Sequence, residues 1–418
     1  MKPIGPIPPD FSGQSRLTIA GREVAGWIEE AGSTPLFIYD FSIIASRVAR
    51  LRAALPAGVD LHYAIKANPF APLVRALAPL VDGLDVASAG ELRQALGVKQ
   101  AGTISFAGPG KRDAELEDAI LAGATINLES EGEAARALAI GDRTGVTPRL
   151  AVRVNPDFEL RGSGMRMGGR ASPFGVDADR AAALVGTIRS SGADWRGFHI
   201  FAGSQSLDTQ AIIETQAATL ALAARLANDA GAQPPLVNLG GGFGIPYFAG
   251  DTPVDVETIG AALGDALASR DDALAASRFA IELGRWLVGE AGVYLTRVID
   301  CKQSQGETFL VVDGGLHHQL AASGNFGTVV RRNYPVALAN RLDAPATETV
   351  SVVGCLCTPL DRLADKVALP EAHPGDVIAI FLAGAYGLSA SPVNFLSHPV
   401  PAQILAGSPD NPNAIFTS

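Results

Sequence analysis

The sequence predicts an α/β protein: a (β/α)8 barrel followed by an antiparallel β domain. Three observations lead there. Between Asp60 and Arg285, short apolar runs rich in β-branched and aromatic residues alternate with amphipathic stretches, the pattern of parallel strands joined by helices. Eight such runs occur, the number a closed barrel takes. A doubly wound sheet is the alternative, because periodicity alone does not close a barrel. After Glu290 the helical patterns give way to strand-like runs, which marks a second, β-rich region.

Taken in order, Arg16–Ile28 reads as a strand that joins this β region, and Leu36–Asp40 as the crossing into the barrel. The barrel strands are Asp60–Lys66, Gly83–Ser88, Ile104–Gly108, Ala124–Ser130, Arg149–Asn155, Trp195–Gly203, Leu236–Gly242 and Arg278–Gly284. Gly, Pro, Asn or Asp bounds each run, as expected of buried strands. Helical patterns between them include Ala89–Val98, Asp113–Leu121 and Asp208–Asn228, the last opened by Asp208 or Thr209 as N-cap. Ala291–Cys301, Glu307–Asp313, Glu348–Cys357 and Asp376–Gly384 read as strands of the β region. The expected limits are 1–34 for the N-terminal segment, 35–288 for the barrel and 289–418 for the β domain.

Composition narrows the function. Hydrophobic residues make up 47% of the 418 and charged residues 18%, enough apolar surface to build large cores and to exclude disorder. With 33 basic against 43 acidic side chains, the chain lacks the surplus that non-specific nucleic-acid binding requires. Cys301, Cys355 and Cys357 are too few for a disulfide framework, which points to a reducing, cytoplasmic setting. Val377–Val393 holds seventeen residues without a charge. Glycines, serines and Pro392 interrupt it, so it reads as a buried strand running into a loop, with no membrane span expected.

Chemistry gathers at the C-terminal strand ends, where barrel enzymes build their sites. Lys66 ends strand one, Arg153 and Asn155 lie on strand five, and His199-Ile200-Phe201-Ala202-Gly203-Ser204-Gln205 ends strand six. Gly240-Gly241-Gly242-Phe243-Gly244 ends strand seven and Glu282-Leu283-Gly284-Arg285 ends strand eight. Glycines let backbone N–H groups approach an anion, so Gly240–Gly244 with Gly284 and Arg285 reads as a phosphate cradle, with a tight turn as the alternative. The spacing is not that of a dinucleotide fingerprint. A desolvated Lys66 would suit imine chemistry; a rim lysine paired with a carboxylate is the other reading. Lysine, phosphate cradle and acid on one face suggest pyridoxal phosphate.

These blocks resemble the alanine-racemase-fold pyridoxal phosphate decarboxylases, the group of diaminopimelate, ornithine and arginine decarboxylases. Within the group the chain is similar to decarboxylases of exosortase A gene clusters and to the butirosin-pathway decarboxylase of a glutamyl group on an acyl carrier protein. Val152-Arg153-Val154-Asn155-Pro156-Asp157-Phe158-Glu159-Leu160, Gly197–Gln205 and Gly387-Leu388-Ser389-Ala390-Ser391-Pro392 carry that likeness. The resemblance implies an aldimine between Lys66 and the cofactor. It implies that Ser204, Gly240, Gly241, Gly242, Gly284, Arg285 and Tyr386 hold the phosphate, and that Asp85 and Arg153 contribute to the cofactor site. It sets Phe201 against the ring with His199 beneath or beside it, the two roles being exchangeable. Glu282 would face the pyridine nitrogen and keep it protonated, where racemases of this fold place Arg. Cys357 of the partner subunit would return the proton in a homodimer.

Departures from the group bear on the substrate. Thr358 stands where diaminopimelate decarboxylases have the Glu that recognises the distal amino group, and Ala321 where they have Arg. The substrate is therefore expected to be an amino acid or carrier-linked aminoacyl group touched by Asp313, His317, Thr358, Asp361 and Arg161. Arg161, Arg166 and Arg170, with Arg331 and Arg332, form a possible docking patch for an acidic carrier, or a solvated loop. His317 and His318 read as pocket groups with no metal spacing, and His373 and His398 as surface residues. Diaminopimelate decarboxylation, racemisation and a catalytically silent regulator are the alternatives.

Overall fold

Each predicted barrel run is a strand because its apolar side chains are covered on both faces, the condition of parallel sheets. The computed structural model describes residues 1–159, 165–166, 168–324, 331–408 and 413–416. Val59–Ala64, Gly83–Val86, Ile104–Phe106, Thr125–Leu128, Arg149–Asn155, Asp194–Ile200, Leu236–Gly241 and Arg278–Leu283 pair in parallel. Two further pairings, Thr125–Leu128 with Arg149–Asn155 and Arg278–Leu283 with Val59–Ala64, close the ring. The barrel predicted from the sequence is thus present. Leu61, Tyr63, Leu84, Ile126, Val152, Ile200, Val237 and Ile281 are buried in it.

The helices between strands start where side chains satisfy free N–H groups. Ser88 accepts from Glu91 ahead of Ala89–Leu96, Ser130 from Glu133 ahead of Glu131–Thr144, and Asp208 from Ala211 ahead of Thr209–Ala230; each such cap is worth about 1 kcal/mol. These caps fix the entry of each helix, and so the strand-end loops that precede them.

By its internal contacts the chain divides into a barrel unit, Arg47–Gly244 with Pro253–Gly284, and a β-rich unit, Met1–Ser46, Ile245–Thr252 and Arg285–Ser418. Leu36–Asp40 therefore does not cross into the barrel. It is fully buried in the β-rich unit, antiparallel to Gly292–Ser304 and parallel to Ala402–Ala406. Gly292–Ser304 also pairs with Glu307–Val312 and Val377–Ile380. The sheet is largely antiparallel but mixed, since Glu307–Val312 runs parallel to Glu348–Val353. Val336–Leu338, Arg362–Leu369, Ala402–Ala406 and Asn413–Phe416 add strands that local pattern did not reveal.

Arg16–Ile28 departs from the expected strand. Thr18–Ile19 and Arg22–Glu23 form a hairpin about Ala20 and Gly21, both at positive φ (51° and 76°), the turn that matches strand twist. Val24, Trp27 and Ile28 then recur at helical spacing and bury one face of Val24–Ala31. Among the described residues, no helix is long and apolar enough to cross a membrane.

Candidate active site

In the barrel unit the strand ends converge on a buried carboxylate. Glu282, near the end of Arg278–Leu283, is 7% exposed. His199 Nε2 lies 3.0 Å from its Oε2 and Asn238 Nδ2 donates to the same oxygen at 3.3 Å. Burial alone would raise the Glu282 pKa. The charge and hydrogen bond of His199, with the charges of Lys66 and Arg153, outweigh it and hold the carboxyl ionised, well below its ordinary range. Asn238 also accepts from Gly240 N at 2.8 Å, tying the glycine turn to the acid. Asn238 was not singled out in the sequence; its place two residues before the glycine run was the available signal.

The glycine turn is built for close approach. Gly240 and Gly242 adopt positive φ, 68° and 79°, open to glycine at little cost. A Cβ on Gly241 would sit 2.0 Å from the Glu282 carbonyl oxygen, so no other residue fits. The neighbouring loop is laced to this turn: Ser206 N donates to Gly242 O at 3.0 Å and Gly244 N to Ser206 O at 2.8 Å. Two residues before Ser206, Ser204 lies on the short strand Gly203–Ser204, which pairs with Met165–Arg166.

Lys66 stands on the turn Ile65–Ala67 beyond strand one, its Nζ 5.8 Å from the centre of the Phe201 ring. It is exposed rather than desolvated, because it lies one turn past the buried strand. His62 and Asp85 pair at 3.4 Å beneath this rim. Burial opposes the His62 charge, but Asp85 and other acids outweigh it and raise its pKa. His199 rather than Phe201 contacts Glu282, while the Phe201 ring is the one that faces Lys66.

Arg153 anchors a network that spacing did not expose. Glu129 accepts from Arg153 at 2.7 Å, from Gly108 N at 2.6 Å and from Gly175 N at 2.8 Å. Lys111 donates to Gly108 O, Asn127 O and Glu133, at 2.7, 2.9 and 3.1 Å. These charges are buried and compensated, so they hold strand ends three to five in place.

In the β-rich unit, Arg285 opens the short helix Arg285–Val288. Its guanidinium lies 4.6 Å from the Tyr386 ring centre and donates to Tyr247 Oη at 2.8 Å. Tyr386 itself sits at φ 53°. Cys357 is exposed and Thr358 half-buried on the turn after Glu348–Val353. Asp313 and Asp361 do not present free carboxylates. Asp313 accepts from Thr34 Oγ1, Thr296 Oγ1 and Arg297 N at 2.5, 2.7 and 2.8 Å. Asp361 accepts from Leu316 N and Leu356 N at 2.6 and 2.8 Å. Asp313 thus braces two threonine hydroxyls and one backbone N–H, and Asp361 two backbone N–H groups.

His317 and His318 are buried, with ring centres 3.7 Å apart. Burial and a neighbouring imidazole push their pKa values down to about 4 and about 3, while burial and Asp361 push the Cys355 thiol up to about 11. His398, expected at the surface, is half-buried 3.7 Å from Cys355 Sγ. The expected docking patch is partly engaged already. Arg170 pairs with Glu159 at 3.0 Å, and Arg332 lies 3.8 Å from the Phe248 ring centre. Arg161 and the side chain of Arg166 lie outside the described residues.

Comparison with known proteins gives these features a family. The pyridoxal-binding domain of the pyridoxal-dependent decarboxylases matches residues 42–289. The chain is 37% identical over 382 residues to L-glutamyl-[BtrI acyl-carrier protein] decarboxylase of Niallia circulans, covering 89% of this chain and 88% of that protein. It is 30% identical over 376 residues to 2-[(L-alanin-3-ylcarbamoyl)methyl]-2-hydroxybutanedioate decarboxylase of Staphylococcus aureus, covering 87% and 92%. The crystal structure of diaminopimelate decarboxylase from M. jannaschii with L-lysine superposes with a TM-score of 0.85 at 26% identity, covering 99% of this chain and 94% of that one.

The barrel residues fit pyridoxal phosphate. Glu282 is an ionised acid suited to a protonated ring nitrogen, and among the described residues buried Asp85 Oδ2 and His199 Nδ1 have no hydrogen-bond partner. Sequence, fold and site agree: the chain belongs to the pyridoxal-dependent decarboxylases, carboxy-lyases that work with pyridoxal phosphate.

Proposed function

We propose that the chain is a cytoplasmic homodimer that removes the α-carboxylate of an aminoacyl group without a distal ammonium, carried on an acyl carrier protein. The ionised Glu282 held by His199 is the observation that carries the chemistry. Thr358 in place of an acid supports the substrate class, since no charged side chain stands there to pair a distal ammonium. The 37% identical relative acts on a glutamyl carrier protein, which supports the carrier.

Pyridoxal phosphate, when bound, supplies a protonated ring that accepts the electron pair released as carbon dioxide departs. Glu282 holds the proton on the ring nitrogen, and His199 fixes the carboxylate by its 3.0 Å contact. Gly240, Gly241, Gly242, Ser204, Gly284, Arg285 and Tyr386 would hold the phosphate, and Phe201 would lie against the ring. Asp85 and Arg153 shape the surrounding strand ends. Lys66 Nζ would hold the cofactor, and its exposed position would leave it accessible to a substrate amine. The partner subunit's Cys357 returns a proton to the substrate carbon; its exposure supports a role outside its own chain.

Carbon dioxide release is measured with glutamyl-loaded carrier protein, free glutamate and diaminopimelate. The loaded carrier is expected to turn over fastest, and Cys357→Ala to slow it roughly 10²-fold or more. Faster turnover of diaminopimelate would overturn the substrate reading.

A further inference from the structure

We propose that His317, Cys355 and His398 form a zinc site in the β-rich unit. It goes beyond the decarboxylation reading, in which Cys355 and His398 have no role and His317 was expected only to touch substrate. One ligand atom from each residue lies within 4.8 Å of every other. Cys355 Sγ and His398 Nε2 are 3.7 Å apart. A tetrahedral zinc ion, with bonds of roughly 2.0–2.3 Å, sets such donors about 3.6 Å apart. The widest pair needs to close by about 1 Å to meet that geometry, a movement within reach of side-chain torsions.

His317 supplies independent support. It is 0% exposed, and among the described residues neither ring nitrogen has a hydrogen-bond partner. Buried polar atoms are satisfied in the great majority of cases, and here the missing partner for one nitrogen is an acceptor of its lone pair. His318 does not compete for the role: its Nδ1 lies 3.1 Å from Tyr294 Oη, and its ring packs on His317. A thiolate with two imidazoles is a donor set for zinc rather than for calcium or magnesium, which take oxygen. Cys355 releases its proton to solvent as the ion binds. The fourth position is left for water or another small ligand, and the bound ion ties the segments around His317, Cys355 and His398 to one point.

The test uses untagged, cofactor-loaded protein stripped of metal with a chelator. Zinc is titrated against a chromophoric competitor, and cobalt(II) substitution is followed by absorption. One zinc per chain is expected, and cobalt is expected to give a thiolate-to-metal charge-transfer band. Cys355→Ser should abolish that band and weaken zinc binding at least tenfold. His398→Ala should weaken it at least tenfold, and Cys301→Ser should leave both readouts unchanged. Circular dichroism of each variant establishes that it is folded. Failure to bind one equivalent, or a band that survives Cys355→Ser or disappears in Cys357→Ser instead, would overturn the assignment. Because these readouts do not require turnover, they separate this site from the decarboxylase reading.

Discussion

Three buried charges of the barrel unit and one buried imidazole of the β-rich unit meet different surroundings. In the barrel, Glu282 has His199 and Asn238, Glu129 has Arg153, and Lys111 has Glu133. Each charge there meets an opposite charge or a donor, and its ionisation follows from that partner. In the β-rich unit, His317 is equally buried yet has no hydrogen-bond partner on either ring nitrogen among the described residues. The difference teaches that burial alone does not define a site. A compensated charge is held ready for chemistry, whereas an uncompensated imidazole stays neutral and available as a ligand.

The largest effect tests the barrel side. Lys66→Ala should lower turnover more than roughly 10³-fold and remove the visible absorption of the bound cofactor; an unchanged spectrum would break the comparison at its centre. Glu282→Gln should cost roughly 10²–10³-fold in kcat, read with saturating cofactor so that binding loss is separated from chemistry.

Lys111→Met should lower stability by about 3–5 kcal/mol in urea unfolding, because it strands buried Glu133 beside Glu129. A double replacement of Lys111 and Glu133 by apolar residues should recover much of that loss.

The pH dependence sharpens the contrast further. Glu282 titrates below its ordinary 4.5 when folded, so its contribution is present above pH 4.5 and is lost as pH falls below it. His62 titrates above its ordinary 6.5, so its contribution is complete below pH 6.5 and is lost as pH rises through the folded value. Cofactor-free protein should therefore be steadied by these groups most between those limits, and His62→Gln should flatten the alkaline side in thermal melts. The smallest effect lies in the other unit. In metal-free protein, His317→Phe should change stability by no more than about 1 kcal/mol, since no hydrogen bond is lost; a loss like that of Lys111→Met would erase the distinction.

Much of the barrel was legible in the sequence because strands and helices declare themselves through local periodicity, and because chemistry collects at strand ends. Lys66, Phe201, Glu282 and the glycine turn could be placed without coordinates for that reason. Arg16–Ile28 was misread because a hairpin followed by a helix leaves a mixed pattern. Leu36–Asp40 was assigned to the wrong unit because an apolar run does not state its neighbour.

What the sequence alone determined, then, is the order of elements, the family blocks and the residues that end each barrel strand. Only the tertiary structure decided which of the acids were free to act. It tied Asp313 to threonine hydroxyls and to the Arg297 backbone and Asp361 to backbone, gave Glu282 to His199 and Asn238, and brought Cys355 and His398 to His317 from distant segments. The physical reason is that periodicity reports which face of an element is buried, while ionisation and ligand geometry depend on partners brought together by long-range packing.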